Sequence, residues 1–168
     1  MKLVLFNDYK PGVLKGDAVV DVTSALPSKI ELPASEGPRA GQLRMEQIIE
    51  HYDAIKGELA RLQSSGTAIP LSQVQLRAPT PSPRHVICMG VTCKEFTDAP
   101  GLPMIMFLKH PDAILDPGGT LSLPPEASFS ICHHEAEFTV VIGKTGRNIT
   151  ESQAMDHVFG YTNSVEVS

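Results

Sequence analysis

The stretch that decides the fold is HHEAEFTVVIGK, residues 133–144. Read with the two-residue period of a strand, it sorts its side chains onto two faces. One face carries Ala136, Phe138, Val140 and Ile142, and the other carries Glu135, Glu137 and Thr139. Carboxylates at i and i+2 of a strand lie about 6.5–7 Å apart. They are either solvated or converge on a hard cation such as Mg²⁺, Mn²⁺ or Ca²⁺. Spacing alone favours the solvated face, because one-sided polar strands are common.

The residues that follow this strand predict a turn, a short helix and a second extended segment. Gly143–Gly146 reads as the turn. Thr150-Glu151-Ser152-Gln153 is a capping box, and it predicts a helix that ends near Val158. The extended segment then runs to Glu166.

In this region the sequence resembles the fumarylacetoacetate hydrolase family. The resemblance is carried by HEAE at 134–137, VVIGK at 140–144, VFGYT at 158–162 and EVS at 166–168. It implies that Glu135, Glu137 and Glu166 bind a catalytic Mg²⁺ or a similar ion, with Glu166 standing where the family has an aspartate. It also implies a mainly antiparallel β-roll behind a small N-terminal α+β module. With this context a metal site is favoured over a solvated face.

Composition excludes several classes of partner. The net charge is −5 and there is no basic cluster, so we expect no nucleic-acid partner. No apolar run approaches membrane-spanning length, and the N-terminus becomes polar too soon for a signal peptide. The odd set Cys88, Cys93 and Cys132 fits reduced thiols in a cytoplasmic protein.

The first half of the chain predicts an α+β module over residues 1–80. Leu3–Phe6 and Ala18–Val22 read as strands, with turns at Pro11-Gly12 and Lys15–Asp17. A Pro-, Ser- and Gly-rich loop is expected between about residues 24 and 41. A helix is then expected from Leu43 until Ser64-Ser65-Gly66 stops it.

The second half is predicted to be a β-roll domain over residues 81–168. A proline-punctuated linker, residues 74–83, precedes it. Residues 84–90 read as a buried strand that ends at a glycine.

After Gly90 the sequence departs from the family that it resembles. The resemblance implies a lid, Gly-Leu-Asn-Tyr-x-x-His-x-x-Glu, whose His and Glu form an acid–base dyad. Here the residues are GVTCKEFTDA, which places Phe96 and Ala99 at those two positions. Two nearby acids, Glu95 and Asp98, are candidates for a replacement base, and their alternative is ordinary loop solvation.

Lys109 matches the lysine of the family's Phe-Leu-Lys segment, which implies an active-site role. The alternative is a solvated lysine at the end of a strand. The chain ends two residues after Glu166, before the strands that close such a domain. We therefore expect either a piece of a longer polypeptide or a shortened homologue completed by a partner.

Three functions remain open at this point. The resemblance implies a hydrolase or lyase acting on small 2-oxo acids or 1,3-dicarbonyl compounds, usually as a homodimer. The second hypothesis is a catalytically impaired relative that keeps a metal or ligand pocket, or serves as a subunit. The third is a structural interaction module.

Overall fold

A computed structural model describes residues 1–92, 105–123 and 132–168, as one α-helix, nine strands and several short 3₁₀ helices. The first-half elements are β1 Leu3–Phe6, β2 Lys10–Lys15, β3 Ala18–Asp21, α1 Gly37–Ser65, β4 Ala68–Pro70 and β5 Leu76–Arg77. The second-half elements are β6 Val86–Gly90, β7 Ile105–Lys109, β8 His134–Ile142 and β9 Val158–Val167. Within these ranges no helix is long and apolar enough to cross a membrane.

Strands β1 to β5 form one antiparallel sheet in the order β4-β3-β2-β1-β5, and α1 packs against it. The two layers bury an aliphatic core that includes Leu5, Val13, Val22, Ile48 and Leu59. Each of these side chains has essentially no exposed surface. The predicted α+β class of the first half is therefore confirmed.

The first hairpin turns earlier than the sequence predicted. The turn lies at residues 7–9, where Asn7 and Tyr9 take left-handed φ angles of 49° and 57°. Pro11 and Gly12 lie inside β2 instead, so the turn expected there is wrong. Gly12 is required by packing, because a Cβ at that position would lie 2.4 Å from a methyl carbon of Val19.

Helix α1 begins at Gly37, six residues before the predicted start. Pro38 fits the first turn, because the N–H that proline lacks has no helical partner there. Gly41 lies inside the helix where the chain passes β1, and a Cβ on it would approach Leu5 and Tyr9 to 2.9 Å. The helix ends at Ser65 before Gly66, as the stop signal predicted.

The second half consists of two antiparallel hairpins, β6–β7 and β8–β9, in the described residues. Between β8 and β9 a 3₁₀ helix spans Glu151–His157, and both hydrogen bonds of the predicted capping box are present. Strand β6 was expected to be buried, but Ile87 is 58% exposed. Each hairpin has only two strands, too few to cover both of its faces.

Contacts between the two halves are both polar and aromatic. The carboxylate of Asp116 accepts hydrogen bonds from Arg77 Nη1 at 2.8 Å, Ala78 N at 2.8 Å and Tyr9 Oη at 3.2 Å. The Phe159 ring packs edge-on against Tyr52 of α1, with ring centroids 5.3 Å apart. The predicted linker is partly sheet, since β5 pairs with β1. A domain boundary near residue 80 stays a prediction.

Candidate metal centre

The register of β8 and β9 brings two carboxylates face to face. His133 and Ser168 exchange backbone hydrogen bonds of 2.7 and 3.1 Å at the open end of the hairpin. Two residues further in, Glu135 lies directly opposite Glu166. Hydrogen-bonded and non-hydrogen-bonded pairs alternate along an antiparallel ladder, so Glu135 and Glu166 are also a hydrogen-bonded pair, with Cα atoms about 5.5 Å apart.

Glu137 lies on the same face of the hairpin, opposite Ser164. Glu137 is half-buried, whereas Phe138 on the other face is 69% exposed and stacks on Tyr161. The polar face is therefore the more sheltered one, apart from the exposed Glu135 at its end. Exposure at Glu135 agrees with the solvated-face interpretation and the half-buried Glu137 does not, so the choice between a solvated face and a metal site stays a prediction.

Lys109 reaches this face from the other hairpin. It is the last residue of β7, and its Nζ contacts Glu166 Oε1 and donates a 2.7 Å hydrogen bond to the Val167 carbonyl. The side chains are 30% exposed for Lys109 and 11% for Glu166. The lysine is thus not the solvated strand-end residue of the alternative interpretation. His134 lies on the opposite face, as strand alternation predicted.

In this arrangement Glu135, Glu137 and Glu166 do not themselves form a closed metal cage. Within the three described ranges no group of three His, Cys, Asp or Glu side chains lies close enough to hold an ion. Glu166 is in contact with the Lys109 ammonium.

The donor set nevertheless fits a hard divalent cation. Glu166 Oε1 is buried, and the Lys109 ammonium is in contact with it. Like charges directly opposite each other in a sheet destabilise it unless a cation intervenes. Three carboxylates and one ammonium leave two uncompensated negative charges, which a divalent cation matches.

Cys88 is a neighbour of the site that sequence reasoning missed. It lies on β6 two residues from Val86, the cross-strand partner of Lys109, and therefore on the lysine's face. Burial raises the pKa of the Cys88 thiol; the Lys109 charge lowers it, and the charges of Glu166 and Glu137 raise it. The only signal in the sequence was this alternation along the strand, which does not reveal which hairpin packs opposite.

Glu95 and Asp98, predicted as replacement bases, lie outside the described residues, as do Phe96 and Ala99. Their assignments stay predictions. Lys109 also lines an open groove of about 330 Å³ on the β6–β7 hairpin. Its charged and titratable lining residues are Arg84, His85, Lys109 and His110.

The described residues thus form an α+β first half and a second half of antiparallel hairpins, with Glu135, Glu137 and Glu166 on one face of β8–β9. Residues 82–168, more than half of the chain, match the family described as fumarylacetoacetate (FAA) hydrolase C-terminal. The chain belongs to the fumarylacetoacetate hydrolase family, and the fold predicted from the resemblance is confirmed.

Individual relatives are similar over much of the chain. It is 28% identical to a maleylpyruvate hydrolase of Aquipseudomonas alcaligenes, over 100% of this chain and 61% of that protein. It is 33% identical to the mitochondrial oxaloacetate tautomerase fahd2 of Xenopus laevis, over 74% of this chain and 40% of that protein. The chain thus spans less than two thirds of the length of either relative.

A solved structure shows the same fold. The maleylpyruvate hydrolase from Sphingobium sp. SYK-6, in complex with manganese(II) and pyruvate, superposes with a TM-score of 0.81 at 27% identity. The match covers 99% of this chain and 58% of that one.

Proposed function

We propose that this protein is a metal-dependent enzyme that acts on small 2-oxo acids or 1,3-dicarbonyl compounds. The observation that carries the proposal is the β8–β9 register, which places Glu166 opposite Glu135 and on the same face as Glu137. The manganese(II) and pyruvate in the Sphingobium relative support the same chemistry.

Glu135, Glu137 and Glu166 would hold the cation, which we propose to be Mg²⁺, Mn²⁺ or Ca²⁺. Carboxylate oxygens suit these ions better than softer metals. When bound, the ion supplies polarisation of the substrate's carbonyl and stabilises the negative charge of the developing enolate. Mg²⁺ requires strict octahedral geometry at short distances, and the long Glu166 arm makes Mn²⁺ or Ca²⁺ the easier fit.

The residues around the cation site favour an anionic substrate. Lys109 and the groove residues Arg84, His85 and His110 carry or accept positive charge and lie together at one end of β6–β7. No acidic residue of the described chain lines this groove. We propose that Lys109 holds the substrate's carboxylate, and that Glu95 or Asp98 acts as the base.

Among the reactions of this class we propose tautomerisation or decarboxylation in preference to C–C hydrolysis. In tautomerisation a proton leaves the carbon next to the carbonyl and a proton is added to the carbonyl oxygen. Phe96 and Ala99 stand where the resemblance implies a proton-transferring His and Glu. General acid–base catalysis contributes about 10²–10⁴ in rate, so hydrolysis without that dyad is expected to be slow.

The same two residues support the second candidate, a catalytically impaired relative that keeps the metal and ligand site. A purely structural module is a third candidate, and the first half, with its ordinary aliphatic core, is its support.

We also propose a cytoplasmic homodimer that assembles through the β domain. The exposed apolar side chains on β7 and β8 support that assembly.

The test is metal-dependent turnover by the purified protein. Oxaloacetate tautomerisation and acylpyruvate hydrolysis are followed by ultraviolet absorbance after EDTA treatment, and again after addition of Mn²⁺ or Mg²⁺. Glu135→Gln removes one proposed ligand. Glu50→Gln is the matched control, because Glu50 is exposed on α1 and has no ion-pair partner in the described residues.

The proposal expects turnover that EDTA abolishes, that the metal restores, and that Glu135→Gln but not Glu50→Gln removes. Binding of an oxo acid without turnover identifies the impaired relative instead. If the protein neither binds nor converts an oxo acid, the structural interaction module is the remaining candidate. Turnover that persists in EDTA contradicts the proposed metal dependence.

A further inference from the structure

Lys109 is held at the carboxylate site by two acceptors on one strand. Its Nζ contacts Glu166 Oε1 and donates to the carbonyl of the next residue, Val167, at 2.7 Å. The contact joins β7 of one hairpin to β9 of the other. The ammonium is therefore placed on the carboxylate that completes the proposed ligand set.

The pairing between Lys109 and Glu166 is close and sheltered from water. Glu166 Oε1 is buried, and it is in contact with the Lys109 ammonium, which also donates to the Val167 carbonyl. A divalent cation that binds this oxygen would therefore compete with the ammonium for it. Glu135, directly opposite, adds a second negative charge to the same spot.

We propose that Lys109 is the internal counter-ion of Glu166, and that a divalent cation must displace it in order to bind. The inference rests on the proposed function, since the incoming cation is the one assigned to Glu135, Glu137 and Glu166. Before binding, the ammonium compensates the charge of Glu166, and among the described residues the three carboxylates do not form a group that could hold an ion. After displacement the ammonium is free to meet the substrate's carboxylate.

Competition and positioning by Lys109 predict opposite changes in metal affinity when the lysine is removed. If Lys109 competes with the metal, its removal leaves the Glu166 charge uncompensated and available, and metal affinity rises. If Lys109 only orients Glu166 for the metal, its removal lets the carboxylate swing, and affinity falls. The two roles therefore predict opposite changes.

The experiment is a calorimetric Mn²⁺ titration of the wild type, Lys109→Met, Lys109→Arg and Lys144→Met. Methionine keeps the aliphatic bulk and removes the charge. Lys109→Arg keeps the charge, and Lys144→Met is the matched control for net charge, because Lys144 is exposed just beyond β8. We expect Lys109→Met to bind Mn²⁺ at least about tenfold more tightly than the wild type. We expect Lys109→Arg and Lys144→Met to remain within about threefold.

A second measurement uses the wild type alone, so that it does not depend on the folding of Lys109→Met. Reductive methylation of each lysine is followed by mass spectrometry with and without Mg²⁺. Displacement predicts faster modification of Lys109 when Mg²⁺ is bound and no change at Lys144. Slower or unchanged modification of Lys109 would contradict displacement.

The outcomes separate this inference from the function on which it rests. Unchanged or weaker Mn²⁺ binding by Lys109→Met, with the wild type binding normally, overturns the competition and leaves the metal site standing. Absence of Mn²⁺ binding in all four proteins overturns the competition and the proposed metal dependence together. If Lys144→Met binds Mn²⁺ as tightly as Lys109→Met does, the competition is also overturned, because loss of any positive charge would then explain the higher affinity.

Discussion

Removal of the Asp116 carboxylate should loosen the junction between the two halves of the protein. Asp116 accepts hydrogen bonds from Arg77, Ala78 and Tyr9, and the Arg77 guanidinium lies over the Tyr9 ring, 4.9 Å from its centroid. The side chains are only 18% exposed for Asp116 and 22% for Arg77. These contacts connect the loop after β7 to β5 and to the first turn of the chain.

The magnitude follows from the partners that are lost. Asp116→Ala removes a charge-assisted bond worth about 1.5–3 kcal/mol, and it leaves the Ala78 N–H without its acceptor, at about 1–3 kcal/mol. Because Asp116 and Arg77 keep some contact with water, we take the lower part of these ranges and expect a loss of about 3 kcal/mol. Asp116→Asn keeps an acceptor for Ala78, so its expected loss is about 1–1.5 kcal/mol.

The pH dependence has a definite direction. Burial by itself would raise the pKa of Asp116, but the Ala78 N–H bond, the Arg77 pair and the Tyr9 bond outweigh it and lower that pKa. A carboxyl whose pKa is lowered by folding stabilises the fold at pH values above its pKa in the unfolded chain, about 3.9. This stabilisation is lost as the pH falls through the pKa of the folded state. The difference between wild type and Asp116→Asn should be constant from about pH 7 to 5 and shrink below about pH 4.

The assay is urea unfolding followed by circular dichroism, since the chain has no tryptophan. Asp112→Asn is the control: its side chain is 85% exposed, and its imidazole partner His110 is 3.6 Å away and 76% exposed. We expect the control to match the wild type. Equal unfolding free energies for Asp116→Ala and Asp112→Asn would refute the reasoning.

Three further predictions concern the helix, a thiol and the lid. Gly57→Ala should stabilise the protein by about 0.5–1 kcal/mol, because a Cβ there meets open space. Gly41→Ala, in the same helix, should destabilise it by about 1–3 kcal/mol, because its Cβ has no room; denaturant midpoints of the two variants compare them. At pH 7, iodoacetamide should react more slowly with the Cys88 thiol than with the thiol of free glutathione, because the pKa of Cys88 is raised. A faster reaction at Cys88 would contradict this. Phe96→His with Ala99→Glu should increase acylpyruvate hydrolysis by about 10²-fold, measured by loss of ultraviolet absorbance, and an unchanged rate would argue against a lid there.

Strand alternation and local turn chemistry predicted several features of both halves. The Glu-x-Glu face of β8, the capping box at Thr150 and the helix stop at Gly66 all depend on residues close together in sequence. The early start of α1 was missed because Gly37 and Pro38 are typical of loops, yet proline is favoured in the first helical turn.

Features that depend on distant residues were not predictable from local patterns. Asp116 finds Arg77 across 39 residues, and Lys109 finds the Val167 carbonyl across 58. The resemblance implied that Glu135 and Glu166 bind the same ion, but their direct opposition required the register of β8 against β9, which spacing along one strand does not give. Which face of β8 is sheltered also depends on neighbouring elements, and the sheltered face proved to be the polar one.

The most direct test of the metal site is an anomalous-difference map from crystals of the protein soaked in Mn²⁺. The account predicts one strong peak in contact with carboxylate oxygens of Glu135, Glu137 and Glu166, with Lys109 moved away from Glu166. A map with no peak there, or with its peak at other residues, would contradict the assignment of these three carboxylates as the metal ligands.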